Sequence, residues 1–433
     1  MKNRVDIKRG FKWSVIALVA ATILHTACTT DHNALDNDFD DVELQALDSI
    51  MANFYPNAYR QTDGFYIEEI DMSNSTGISS NSFTDGWVRY NILSKNLHGE
   101  ICNNRDQDIA RQLGTFTYRT RYAPVMQFVT TDEDTTADYL DMLFQYTDIK
   151  MDGKSTGIYA NDHFKVYVPS QIQGVANGTY GYAGQNSIGS AEFMVSEIEV
   201  IETFENGWDW EVSKVYEFME MNTLDNWTRV SYRIDEDDLD YDEDDDVESY
   251  YDYDDSETKI YIYYDTSYTP YTKYNYIEQY NYSYLPYVTI ESPNTTYFEQ
   301  LQSDIADAVV EEFGEGDNDE GDIIATDEYV KIWYIARTLD GFIIDTNIDE
   351  VAELAFADQT GGNTYIYYQC DASATSYIDA WFFAVQDLRY GEWSTFITPS
   401  LYAYSYEGVS GTSTTTEIPP YTPLLFSVYI EEE

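Results

Sequence analysis

The sequence predicts an α+β protein in which antiparallel β-sheet wraps around short helices, and three observations predict it. First, 42 of the 433 residues are tyrosine, a flat side chain that suits the pleated, half-exposed surface of a strand. Second, runs such as GFYIEEI, GWVRYNIL, FKVYVPS and DEYVKIWYIARTLDGFIIDTN have strand length and composition and are separated by polar turns. Third, helical spacing is confined to a few short stretches lying among those strands.

Length and charge set the outer limits. A chain of 433 residues has room for two or three domains, and its 43% hydrophobic content allows sizeable cores. Asp and Glu number 79 against 23 Lys and Arg, for a net charge of -56. Such a surface repels phosphate backbones and excludes nucleic acid as a partner.

The first 28 residues read as a targeting segment and stand outside the fold argument. MKNRVDIKRGFK is a basic leader, and WSVIALVAATIL is an apolar core too short to span a membrane. It ends at His25-Thr26-Ala27-Cys28. A small residue before a cysteine, just after an apolar run, resembles a bacterial lipoprotein signal. That resemblance implies cleavage after residue 27, lipidation of Cys28, and an envelope protein anchored to the outer membrane. The family prefers leucine three residues before the cysteine, whereas Leu24 stands four before it. An ordinary cleaved secretory peptide is the alternative. Residues 28–40 are polar and acidic and read as a solvated tether. The remaining cysteines, Cys102 and Cys370, show no metal-site spacing and fit two separate thiols better than a disulfide. No metal or cofactor is expected.

Past the tether, residues 42–55 predict a short amphipathic helix and residues 136–147 a second one. A first domain over 41–203 follows. Residues 204–324 read as an acidic, Tyr-rich inter-domain region or insertion. Within it, DEDDLDYDEDDDVESYYDYDDSE is too charged to collapse and predicts extended chain. DNDEGD at 317–322 lacks the downstream glutamate of a calcium loop. YFEQLQSDIADAVVEEF, at 297–313, predicts a helix.

Residues 325–433 are the most specific part. Two strands meet at Asp340-Gly341, TYIYYQC supplies another, and SYIDAWFFAVQDLRYGE predicts a short helix with Ile378, Trp381, Phe382 and Val385 on one face. A strand, a long Ser/Thr/Gly loop and a final strand complete it. In order, the chain offers Tyr334, Asp340-Gly341, Ile344-Asp345, Tyr377-Ile378, Trp381, Pro399, Tyr404, Ile418-Pro419-Pro420 and Leu424 to Phe426. This order resembles the FKBP (immunophilin) family of peptidyl-prolyl isomerases: a strand ending in Tyr, a DG turn before Phe-Asp, Val or Ile before a Gly-Trp helix, a Tyr-Gly loop, and Ile-Pro-Pro ahead of Leu-x-Phe. Three positions depart from the pattern, namely Ile344 for phenylalanine, Ala380 for glycine and Ser405 for glycine, and Tyr402 rivals Tyr404. The first domain resembles a divergent copy. Trp87 to Tyr90 parallels Trp333-Tyr334, Leu97-His98-Gly99 parallels the DG turn, and Val168-Pro169-Ser170 parallels Thr398-Pro399-Ser400.

The resemblance implies two tandem FKBP-like domains and a pocket in the second. Rotation about an X-Pro bond faces a barrier of about 18–20 kcal/mol because the planar amide loses resonance. The catalyst needs no nucleophile, only a site that binds the twisted amide better than the planar one. An apolar, water-poor pocket does so. By resemblance Trp381 is the floor under the prolyl ring, with Tyr334 and Phe426 as walls and Ile344 at the changed aromatic position. Tyr377, Ile378 and Ile418 form the rim, and Tyr368 adds an aromatic edge. The Ile378 N–H and the Tyr404 hydroxyl bind substrate carbonyls, and Asp345 sits at the polar side, bonded to Tyr334. The implied partners are proline-containing or unfolded polypeptides. A non-catalytic binding or chaperone module is the alternative, and a glycan-binding adhesin rests on tyrosine abundance alone.

Overall fold

The computed structural model describes residues 44–61, 64–82, 85–96, 98–130, 139–145, 149–151, 154–169, 193–222, 228–233, 250–254, 257–261, 276–283, 287–289, 295–314, 324, 328–357, 364–369, 377–378, 380–385, 388–405, 407–411 and 415–431. Cys28, the tether, most of the acidic run, DNDEGD and Cys370 lie outside them.

After a helix at 44–54 (α1) come β1 (Tyr59–Arg60), β2 (Tyr66–Asp71), β3 (Asp85–Asn96), β4 (Ile101–Asn104), α2 (Gln107–Leu113), β5 (Val125–Thr130) and α3 (Tyr139–Gln145). A small hairpin of β6 (Ile149–Met151) and β7 (Lys154–Thr156) precedes β8 (His163–Val168) and β9 (Met194–Phe204). Seven of these strands form one antiparallel sheet in the order β1-β2-β8-β9-β3-β4, with β5 also on β3.

Helix α4 (Gly207–Met221) leads to β10 (Thr228–Arg233), the hairpin β11 (Tyr250–Asp254) and β12 (Glu257–Tyr261), then β13 (Tyr276–Ser283) and α5 (Thr295–Phe313). Next are β14 (Tyr329–Thr338), β15 (Ile343–Thr346), α6 (Asp349–Phe356), β16 (Ile366–Gln369), α7 (Ala380–Val385), β17 (Trp393–Thr398) and β18 (Leu424–Glu431). Their seven-stranded antiparallel sheet runs β10-β13-β17-β18-β14-β15, with β16 on β14.

The two sheets share one wiring. In each, a long strand (β3 or β14) pairs on one edge with two successive partners and on the other with the last strand. In each, the register shifts where that strand meets its hairpin partner, at Ser94/Lys95 and at Ala336/Arg337. Each hairpin then closes alike: Asn96 N–H donates to the Glu100 carbonyl at 3.0 Å, and Thr338 N–H to the Phe342 carbonyl at 2.9 Å. Gly99 and Gly341, at φ 80° and 82°, supply the left-handed residue that a side chain would strain. This register identifies topological counterparts. Ser94 lies opposite Asn103 and Ser196, as Ala336 lies opposite Asp345 and Phe426. Ile92, two residues earlier, is therefore the counterpart of Tyr334, and the expected parallel between Tyr90 and Tyr334 is offset by two positions.

From residues 204–324, expected as an inter-domain region or insertion, β10 and β13 join the second sheet. Strand β13 pairs with β17, and β10 with β13. Alternation of tyrosine with polar residues there is a strand pattern with a partner. On the back of that sheet, Ile305 and Val309 of α5 and Val351 and Ala355 of α6 pack against Trp333, Ile335 and Trp393. Helix α4, which follows the first sheet in sequence, lays Val215 and Phe218 on Ile397 and Leu425 of the second. It thereby bridges the two.

Candidate functional site

Alternation along β14 turns Ile332, Tyr334 and Ala336 to one face of the second sheet and Trp333 and Ile335 to the other. Strand β18 adds Leu424, Phe426, Val428 and Ile430 to the first face. Phe426 stacks on Phe396 of β17, its cross-strand partner, with centroids 5.3 Å apart. Helix α7 covers this surface. Its first turn is set by Trp381 N–H donating to the Ile378 carbonyl at 3.2 Å, and it buries Ala380, Trp381 and Val385. The Phe382 side chain lies outside the described ones.

Trp381 is the hub of an aromatic cluster. Tyr334 meets it edge-on at 5.2 Å and 77°, and Phe426 at 6.1 Å and 70°. Tyr368 lies 6.2 Å away and Tyr377 6.3 Å, and these two contact each other at 5.5 Å. Edge-to-face pairs at such separations gain from the ring quadrupoles as well as from burial. Ile344 and Ile418 are buried in the same cluster, with Ile378 and Tyr404 packed at its border. Trp381 itself is 4% exposed, whereas Tyr377 is 37% exposed at the outer edge.

One side of the cluster is polar. Asp345 stands on β15 opposite Ala336. Its Oδ2 accepts the Tyr334 hydroxyl at 2.6 Å and its Oδ1 accepts the Thr346 N–H at 2.9 Å. Burial, then the Asp345 charge and hydrogen bond, push the Tyr334 phenol far above its ordinary value. Burial and Asp345 raise Tyr404 as well. Both hydroxyls therefore keep their protons, which makes them hydrogen-bond donors beside an acceptor carboxylate.

The loop from Pro399 to Pro423 carries the rest. Ser400–Tyr402 is a 3-10 turn. Tyr402 is 1% exposed and part of the core, whereas Tyr404 is half-buried and faces the Asp345 side. Ser405 occupies φ 55°, a left-handed conformation that favours glycine. Val409 and Ile418 bridge by reciprocal N–H to carbonyl bonds of 2.7 and 2.9 Å. A Cβ on Gly408 would stand 2.2 Å from the Ile418 carbonyl oxygen, so that crossing requires glycine.

No expectation from the sequence covered the contacts between the two sheets, and they converge on this loop and the DG turn. Arg105, on the segment after β4, donates to Glu417 at 2.8 and 3.4 Å. Arg121 donates to Asp340 at 2.6 and 3.1 Å. Burial alone would raise the Asp340 carboxyl, but Arg121 and the Thr338 hydroxyl bring it below the usual range. Tyr421 stands edge-on between Trp87, at 5.3 Å, and Trp208, at 4.9 Å. The buried Glu211 of α4 accepts both the N–H of Ser400 and, at 2.7 Å, its hydroxyl. The available signal was basic: four arginines between residues 105 and 121 of so acidic a chain. A cavity of about 890 Å³ lies in the cleft, lined among others by Tyr118, Tyr122, Trp210, Asp340 and Pro419. Among the described residues, no His, Cys, Asp or Glu side chains group in threes as metal ligands, and the Cys102 thiol donates to the Glu100 carbonyl at 3.4 Å.

No family model and no curated protein matches the chain. Among solved structures, the crystal structure of FkpA from Escherichia coli is similar at 12% identity and a TM-score of 0.28, over 47% of this chain and 76% of that one. The crystal structure of AtFKBP13 is similar at 16% identity and a TM-score of 0.21, over 26% of this chain and 85% of that one.

Proposed function

We propose that the second sheet and its helix form an FKBP-type pocket that binds a prolyl segment of a polypeptide on Trp381 and speeds its cis–trans isomerisation. The observation that carries this reading is the hydrogen bond from Tyr334 to Asp345 at the edge of the Trp381 cluster. It joins an apolar floor to a polar side, the two parts a twisted X-Pro amide requires. Trp381, Tyr334, Phe426 and Ile344 hold the prolyl ring away from water, which favours the less polarised twisted carbonyl. Ile378 and Ile418 border the ring, with Tyr368 and Tyr377 extending the aromatic surface. Tyr404 and the Ile378 N–H donate to substrate carbonyls. The first sheet is a diverged copy of the same domain: by register it has Ile92, Asn103 and Ser196 where the second has Tyr334, Asp345 and Phe426. Among the described residues it does not repeat the Tyr-Asp-Phe set, and its own buried aromatics, Tyr90 and Phe144, pair elsewhere in its core. Lipidation at Cys28 tethers the pair to the outer membrane. Loss of fatty-acid labelling in Cys28→Ala supports the tether, and retained labelling rejects it.

The test is a protease-coupled prolyl isomerase assay on the full chain. Faster relaxation of an X-Pro peptide, abolished by Trp381→Ala and by Asp345→Ala, is expected. No acceleration from the folded protein rejects the catalytic reading.

One observation favours a second reading. Trp381 is only 4% exposed, so a prolyl ring reaches its face only if the cluster opens. A module that binds unfolded clients without turnover would suppress their aggregation and leave prolyl rates unchanged.

A further inference from the structure

We propose that the first sheet and α4 act as a clamp that positions the Pro399–Pro423 loop, making Arg105, Gly207 and Glu211 positioning residues for the Trp381 site. The inference rests on reading that cluster as the site. Its structural part stands independently.

The loop delivers Tyr404 and Ile418 to the cluster, and its inner side is anchored in its own sheet's core by Tyr402 and Ile418. Within the loop the backbone crossing is the Val409–Ile418 pair, with Tyr421 N–H donating to the Ser405 carbonyl at 3.3 Å. The outer attachments come from elsewhere in the chain, one at each shoulder of the loop. At the first shoulder, Glu211 receives Ser400 through backbone and hydroxyl. At the second, Arg105, whose side chain is 3% exposed, grips Glu417, the residue before Ile418. Just beyond, the Tyr421 ring enters the slot between Trp87 and Trp208. The slot is tight. A Cβ on Gly207 would stand 2.4 to 2.6 Å from that ring.

These attachments share a consequence. Tyr404 lies four residues after Ser400, and Ile418 directly follows Glu417. A shift of the first sheet is therefore passed to both groups by a few bonds of backbone. The first sheet thus has a task of its own, that of holding its neighbour's loop. The coupling runs through contiguous contacts of known partners, and it requires no long relay.

Gly207→Ala tests the clamp without removing any charged or hydrogen-bonding side chain. Gly207 opens α4, and alanine suits a helix better than glycine, so the helix survives while the new methyl expels Tyr421. Hydrogen exchange in the full chain is then followed on peptides spanning 399–423. The expected result is about tenfold faster exchange at Ser405 and Ile418 with β9 unchanged, and no further effect of Gly207→Ala when Tyr421→Ala is already present. Unchanged loop exchange, or equal loosening of both sheets, overturns the proposal. Should Gly207→Ala fail to fold, Arg105→Glu and Glu417→Arg replace it: each alone loosens the loop, and the pair restores it, whereas no restoration overturns the clamp. An isomerase assay on the same samples separates the two ideas. A wild type without prolyl activity counts against the proposed function alone, while the exchange data still decide the clamp.

Discussion

Tyr334 sits where an apolar cluster meets an acidic edge, and its single hydroxyl joins them. Its hydrogen bond goes to a solvent-exposed carboxylate, so its net contribution stays near that of an ordinary hydrogen bond, about 0.5–1.5 kcal/mol. Tyr334→Phe should destabilise the protein by an amount of that order in urea unfolding while keeping the ring packed on Trp381. Glu211 makes the opposite kind of statement. Burial pushes its carboxyl from 4.5 up to about 8, although two hydrogen bonds from Ser400 pull the other way. The folded chain therefore keeps a proton that the unfolded chain has released at pH values between these limits. Stability from this group is greatest below the lower limit, falls as pH rises through the window, and levels off above it. Glu211→Gln should remove that slope, read as unfolding midpoints on either side of the window.

At the scale of elements, the strands and the central helix of the second sheet were legible because each carries one strong period. The stretch YVKIWYIART alternates, DG turns it, and AWFFAV is too short to be anything but a turn or two of helix. Helix α4 was not legible. Its aromatic-rich GWDWEVSKVYEF resembles a strand in composition, and its clearest signal is the cap, Asn206, whose side chain accepts from Trp208 and Asp209 N–H. Strands β10 and β13 were hidden for another reason. They fall on either side of the acidic run, and the partner of β13 lies 111 to 117 residues downstream, beyond the reach of local pattern. The loop itself depends on one glycine. Gly408→Ala forces a methyl into the Ile418 carbonyl at φ 67°, and the left-handed conformation alone costs about 1–2 kcal/mol. The expected outcome is a lower thermal midpoint together with loss of peptide binding, and an unchanged midpoint would show that the crossing is not held as described.

For the whole molecule, two sheets of one wiring are joined through loops and α4 by ion pairs that stand out against a net charge of -56. Self-repulsion on that scale opposes compaction, and salt screens it. Moderate salt should therefore raise the thermal midpoint, even though it weakens the exposed part of pairs such as Arg121–Asp340. A fall in midpoint with salt would mean that the cross-sheet pairs outweigh the repulsion. None of the cross-sheet arrangement could be read from residue order, because Arg105 and Glu417 lie 312 residues apart. The roll of pocket positions came from family order, and the structure gathers Tyr334, Ile344, Tyr368, Ile378, Trp381, Tyr404, Ile418 and Phe426 in or against one cluster. Asp345 reaches it through Tyr334, and Tyr377 touches both Tyr368 and Trp381.

The most direct measurement is the rate at which the full chain, in catalytic amount, relaxes the cis form of a short X-Pro peptide. The expected result is acceleration by wild type that disappears in Asp345→Ala, which leaves the aromatic cluster in place. Equal rates for wild type, Asp345→Ala and buffer, from protein shown to be folded, would contradict a catalytic site at Trp381.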